Sequence, residues 1–206
     1  MLRYFCLLLL VVVNSLGCSH VSSDSVITSP NLDYIDPTIG NAPQLLVPTR
    51  PTVHLPNELI RMYPMRKDYF DDQISSFPLT IVSHRLGEVF SIKPVNGNLN
   101  PESWNQRMPW DHDLEITRPW YYSTYLIRDG ITTEFTPGKK TGYYRFTFPE
   151  GNDKSILFNV YNDGESSFQF LSGTEMAGTE TYHGDIKIYM YGKFNTPGTP
   201  GILENG

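Results

Sequence analysis

The sequence predicts a mainly β protein, folded as an antiparallel β-sandwich. Three observations carry this expectation. Apolar residues alternate with period two through the second half of the chain, which is the pattern of half-buried strands. Asp129-Gly130 and Asp163-Gly164 sit between such segments, and Asp-Gly pairs favour hairpin-type turns that need positive φ. Aromatic residues make up 13% of the chain, with 13 Tyr and 11 Phe, side chains that suit strands better than helices. No convincing amphipathic helix and no internal repeat stands beside these signals.

The elements follow in order. Residues 1–17 read as an export signal, with a positive charge at Arg3, the apolar run "YFCLLLLVVV" and then "NSLGC". The run is shorter than the roughly 20 residues a membrane span needs. Cys18 after Leu16-Gly17 resembles a bacterial lipoprotein cleavage site, which makes Cys18 the expected lipidation position; a plain secretory signal is the alternative. The expected location is the periplasm or outer-membrane surface of a Gram-negative bacterium, with membrane attachment through a lipid anchor. Cys6 and Cys18 are the two cysteines of the chain. After cleavage before Cys18, neither a disulfide framework nor a zinc–thiolate site is possible. Residues 18–33, rich in serine, read as a flexible tether.

The folded domain is expected over residues 34–206. Pro37, Pro43, Pro48, Pro51, Pro56 and Pro64 exclude a long helix at its start. "ELIRMYP" reads as a short strand there. "GITTEFT" puts Ile131, Thr133 and Phe135 on one face. "GYYRFTF" opposes Tyr144, Phe146 and Phe148 to Tyr143, Arg145 and Thr147. "SILFNVY" groups Ile156, Phe158 and Val160, and "DIKIYMY" groups Ile186, Ile188 and Met190. The closing "KFNTPGTPGILENG" has Pro/Gly turns and no final strand, so the sandwich is expected to be incomplete at that end.

The formal charge of −6 and the lack of a basic run argue against a nucleic-acid partner. A mildly acidic, tyrosine-rich surface suits a neutral ligand such as a carbohydrate. "MPWDHDLEITRPWYY", residues 108–122, concentrates the candidate chemistry. In an extended segment Asp111, Asp113 and Glu115 would share one side and could face a hard cation, but no glycine-turned calcium loop is present. A polar loop with local hydrogen bonds explains the same residues. The Asp71-Asp72 pair lies too close in sequence for glycosidic acid–base work and reads as a turn or cap. His84, after an apolar run, is a candidate sugar contact or a satisfied histidine at a strand end. Trp104, Trp110 and Trp120 are candidates for stacking on a pyranose ring or for the core. No nucleophile elbow, phosphate loop, HExxH or dinucleotide fingerprint occurs.

Five segments in order resemble the N-terminal domain of glycoside hydrolase family 92, the exo-acting α-mannosidases. "YIDPTIG" is similar to the family's V-D-P-F-I-G. "RPTVHLPNELIRMYP" keeps its proline spacing at Pro51, Pro56 and Pro64. "IVSHRLGE" resembles F-S-H-T-H-L-S-G. "DHDLEITRPWYYSTYL" resembles S-H-E-N-E-x-A-x-P-G-Y-Y-x-V-x-L at His112, Glu115, Pro119, Tyr121 and Tyr122. "GITTEFTPGKKTGYYRFTFPEG" resembles G-I-x-V-E-L-T-A-T-x-R-x-G-x-H-R-x-T-F-P. The resemblance implies a β-sandwich that packs on a helical catalytic domain, with the active site between them. It implies a calcium-dependent, inverting hydrolase of α-mannoside-type glycans. It also implies that the catalytic residues and the calcium ligands lie in the helical domain, outside these residues, so that this stretch alone is C-terminally truncated and holds no cofactor. His84, Trp110 and Trp120 are then the expected substrate contacts. The alternatives are a stand-alone carbohydrate-binding surface lipoprotein and a truncated product without a function of its own. Two departures stand out: "YFDDQISSF" replaces the family's W-D-G-C-S-G-Y, and Trp120 replaces the glycine of P-G-Y-Y.

Overall fold

The computed structural model describes residues 30–39, 52–67, 70–81 and 87–203. The expected signal segment, Cys18, most of the tether and His84 lie outside these residues. In chain order the described strands are β1 (Val53–His54), β2 (Arg61–Met62), β3 (Gln73–Ile74), β4 (Phe77–Ile81) and β5 (Glu88–Asn96). They continue with β6 (Met108–Pro109), β7 (Ile116–Arg118), β8 (Tyr121–Leu126), β9 (Ile131–Pro137) and β10 (Gly142–Thr147). The last are β11 (Lys154–Asn159), β12 (Ser166–Ser172), β13 (Glu175–Tyr182) and β14 (Ile186–Lys193). Every pairing is antiparallel, and among the described residues there are only short 3-10 turns and no α-helix. The mainly β, antiparallel fold expected from the sequence is the fold observed.

The strands form a four-stranded sheet β10-β9-β8-β7 and two three-stranded sheets, β11-β5-β4 and β12-β13-β14. Two short ribbons, β1-β2 and β3-β6, complete the set. One core lies under the four-stranded sheet and gathers Val53, Met62, Ile74, Phe77, Trp110, Tyr122 and Phe135, with Tyr144, Phe146 and Phe148 packed against it. The second joins Val89 and Phe90 of β5 to Tyr182 of β13, with Val160, Phe168, Ile188 and Met190 around them. The sheet β11-β5-β4 therefore feeds both cores, the first through Phe77 and the second through Val89 and Phe90.

Period-two patterning accounts for the central hairpins. Ile131 and Thr133 are fully buried and Phe135 nearly so, while Thr132, Glu134 and Thr136 between them are half-buried. Phe135 stacks on Tyr122 with ring centroids 4.6 Å apart; burial of such a ring contributes about 1.5–3 kcal/mol. The turn from β8 to β9 is the expected hairpin. Gly130 has φ +66°, and its N–H donates to the Leu126 carbonyl at 2.8 Å.

Asp163-Gly164 is a correction. It joins β11, which pairs with β5, to β12, which pairs with β13, so it is a crossover between sheets and not a hairpin. Its glycine is required by close approach. A Cβ on Gly164 would lie 2.8 Å from both the Thr181 Cβ and the Thr181 carbonyl oxygen. The two segments are pressed together because the Thr181 N–H and hydroxyl both donate to the Glu165 carbonyl, at 3.1 and 2.8 Å. Gly164→Ala is expected to cost about 1–3 kcal/mol in urea unfolding. Gly198→Ala, where nothing lies within 4 Å of the added Cβ, should change stability by less than about 0.5 kcal/mol.

β5 carries seven consecutive buried residues, Glu88 to Pro94. It contains Glu88, Lys93 and Pro94, and that composition hides it from a hydrophobic pattern. Phe90 within it has φ +48°, a conformation costing a non-glycine residue about 1–3 kcal/mol. Its N–H is held by the Glu180 carboxylate at 2.5 Å.

Candidate functional site

The stretch 108–122 folds into a small frame rather than a row of acids. Asp111 caps a 3-10 turn, His112–Leu114, its carboxylate accepting from the Asp113 N–H at 2.9 Å. That turn ends the extended run, so Asp111, Asp113 and Glu115 do not share one side. The Glu115 side chain goes inward, 6% exposed, and meets the Arg66 guanidinium at 3.1 Å. The Tyr122 hydroxyl donates to the same carboxylate oxygen at 2.7 Å. Burial, and the Glu115 charge beside it, push the Tyr122 phenol well above its ordinary pKa. Arg66 itself is 1% exposed and lies 4.4 Å from the centre of the Trp110 ring.

Trp110 is 3% exposed. Its indole N–H donates to the Asp71 carbonyl at 2.9 Å, and its ring rests 4.0 Å from that of His112. At that burial the indole offers no stacking face in this domain. Trp120 is half-buried at the turn between β7 and β8, and its carbonyl accepts from the Thr136 hydroxyl. The structure thus separates the two tryptophans that the sequence groups together.

Asp71 is the cap that its pairing with Asp72 suggested. It accepts from the Lys67 N–H at 2.7 Å and the Gln73 N–H at 3.1 Å, and it is paired with Arg107. Burial would raise its pKa, but the Arg107 hydrogen bond and the two backbone N–H groups outweigh it and hold the carboxyl below its usual range. Among the described residues, no group of three or more His, Cys, Asp or Glu gathers as a metal would require.

Sequence reasoning missed the residues around Trp104. Lys93, 1% exposed on β5, donates from Nζ to the Trp104 carbonyl at 2.5 Å and to the Gln106 carbonyl. The amine lies 5.8 Å from the Trp104 ring centre. Burial, and then the nearby Arg128, lower the Lys93 pKa to about 8. The folded protein therefore releases this proton before the unfolded chain does, and stability rises with pH between about 8 and 10.5. Between pH 7 and 9.5 the gain should be about 2 kcal/mol in urea midpoints measured across pH, and Lys93→Met should abolish that slope. A neutral amine still has two N–H donors for the two carbonyls, so the loop survives the deprotonation.

The described residues hold aromatic and polar surface and buried ion pairs, with no metal cluster, on an antiparallel sandwich. That is the architecture of a β-sandwich domain. The match of residues 34–204 to the glycosyl hydrolase family 92 N-terminal domain is specific, and the chain belongs to that family.

Solved structures show the same fold. A family 92 inverting mannosidase from Bacteroides thetaiotaomicron VPI-5482 superposes with a TM-score of 0.65 at 23% identity, covering 75% of this chain and 22% of that one. A family 92 α-mannosidase from the same species, in complex with mannoimidazole, gives 0.64 at 21% identity over 78% of this chain and 24% of that one. The family 92 glycosyl hydrolase ccman5 gives 0.62 at 22% identity, over 78% and 25%. The chain thus spans about a quarter of the length of these structures. No curated protein matches it.

Proposed function

We propose that this chain is the N-terminal β-sandwich of an α-mannosidase-like glycoside hydrolase, packing on a helical catalytic domain and forming one wall of a pocket for an α-mannoside-type glycan. The observation that carries the reading is the family match across residues 34–204, on a fold shared with solved family 92 mannosidases. In this reading His84 and Trp120 face the sugar. Trp110 stays in the core, locked between Arg66 and the Asp71 carbonyl.

The calcium implied by the resemblance does not fit the described residues. Asp111 is engaged with a backbone N–H, and Glu115 with Arg66 and Tyr122. The reading therefore assigns calcium, the general acid and the general base to the helical domain, and gives this chain no chemical step. Incubation of the purified chain with calcium and an aryl α-mannoside should release no phenol above the buffer rate. Turnover that follows the protein through purification would overturn the assignment.

Attachment to the membrane through a lipid on Cys18 is part of the same proposal, resting on "NSLGC". Metabolic labelling with palmitate in a bacterial host should mark the chain, and Cys18→Ala should remove the label. Equal labelling of that variant would reject the anchor.

A further inference from the structure

We infer that the cleft between Trp104 and Tyr161 is a saccharide-binding subsite carried by the sandwich itself. The cleft forms where three separate segments converge: Ser75, between β3 and β4; Trp104, Asn105 and Arg107, before β6; and Val160 with Tyr161, after β11. Its volume is about 380 Å³, within the roughly 300–1,000 Å³ of small-molecule sites.

Each wall is held in place without a ligand. Trp104 follows the 3-10 turn Pro101–Ser103, which Asn100 closes with a reciprocal pair of hydrogen bonds: its side chain accepts from the Glu102 N–H and its own N–H donates to the Ser103 hydroxyl, both at 2.9 Å. Lys93 then fixes the carbonyls of Trp104 and Gln106 from inside the domain. Arg107 is clamped by the Asp71 carboxylate, the Gln73 carbonyl and the Ser75 hydroxyl. The Tyr161 N–H is held by Glu180 at 2.6 Å. Walls ordered in advance cost a ligand little to organise.

The chemistry of the lining selects the ligand. Trp104 and Tyr161 supply flat apolar surface, and Val160 adds to it. Such surface suits the C–H face of a sugar ring. Asn105 is exposed; its carboxamide gives one bond to Glu102 at 3.3 Å and retains a second N–H and a carbonyl oxygen for hydroxyl groups. Arg107 would attract an anion if it stood alone, but its charge is matched by Asp71. The whole chain also carries a formal charge of −6, which opposes phosphate, sulfate and uronate groups. A neutral polyhydroxylated ring fits all of these features. Trp120, on which the proposed function relies, is not among the lining residues, so the two claims can fail separately.

The test is calorimetric and tryptophan-fluorescence titration of the full chain with an α-linked mannotriose, and with a sulfated oligosaccharide of similar length. Millimolar binding of the neutral sugar is expected. Loss of the indole in Trp104→Ala should weaken it about tenfold or more, and Asn105→Ala, at an exposed position that leaves the fold intact, about threefold. Trp104→Phe should keep most of the affinity, and Tyr189→Ala, at an exposed position on β14 outside the cleft, all of it. No binding of mannotriose at ~10 mM, far above the roughly millimolar affinity expected, would overturn the subsite while leaving the packing role of the sandwich standing. Binding that disappears with Trp120→Ala and survives Trp104→Ala would overturn it in favour of the Trp120 surface. Tighter binding of the sulfated ligand would overturn the neutral specificity.

Discussion

Replacing Glu180 with alanine is expected to lower the unfolding free energy by about 3–5 kcal/mol, among the largest effects any single substitution should have here. Glu180 is fully buried on β13. Its carboxylate accepts from the N–H groups of Phe90, Tyr161 and Asn162, at 2.5, 2.6 and 2.7 Å, and from the Asn162 side-chain amide at 2.7 Å. Four donors replace the hydration the carboxylate loses on folding. Without it, the buried Phe90 N–H loses its partner at a cost of about 1–3 kcal/mol, and the part-buried donors of Tyr161 and Asn162 lose theirs at whatever cost water does not recover. The positive φ at Phe90 loses its anchor as well. Glu180→Gln keeps the shape but turns an N–H₂ group toward donors, and should cost about 2–3 kcal/mol. Urea unfolding measures both, and amide exchange at Phe90 and Tyr161 should quicken in both. A loss below about 1 kcal/mol for the alanine variant would show that the carboxylate does not hold the sheets together.

Arg66→Ala is expected to cost a similar amount, about 3–5 kcal/mol, because it strands the Glu115 carboxylate inside the first core with only the Tyr122 hydroxyl against it. The informative comparison is a variant that removes the whole network. Arg66→Met, Glu115→Leu and Tyr122→Phe together remove both charges and the hydroxyl that meets them, so the triple variant should lie well above Arg66→Ala in stability, within about 1 kcal/mol of the parent. If the triple variant is as unstable as Arg66→Ala, the network contributes through packing of the arginine stem beneath Trp110 rather than through charge. Trp110 fluorescence reports on both variants directly, since the guanidinium lies 4.4 Å from its ring.

The parts of the fold legible in the sequence are those set by neighbours a few residues apart. Ile131, Thr133 and Phe135 share a buried face, and Tyr144, Phe146 and Phe148 pack together, because strand side chains alternate with period two wherever one face is buried. The Asp129-Gly130 hairpin is equally local. β5 leaves no such mark, because a strand buried on both sides does not alternate, and charged residues such as its Glu88 and Lys93 ordinarily face solvent. Asp163-Gly164 has the dipeptide of a hairpin and the role of a crossover, since Thr181, far along the chain, decides where it goes. Asp111, Asp113 and Glu115 form a row of ligands only in an extended segment. The Asp111 cap makes a turn there and sends Glu115 into the core.

By itself, then, the sequence determined the β class, the central hairpin and, through five ordered segments, the family to which the chain belongs. The tertiary structure alone decided where the charges and tryptophans lie. It buried Arg66, Lys93 and Glu180, sank Trp110 and left Trp104 and Trp120 nearer the surface. The reason is the range of the forces involved. Alternation is written into each strand, whereas a buried charge is tolerable only where partners meet it, and those partners lie 49 residues away for Arg66 and between 18 and 90 for Glu180.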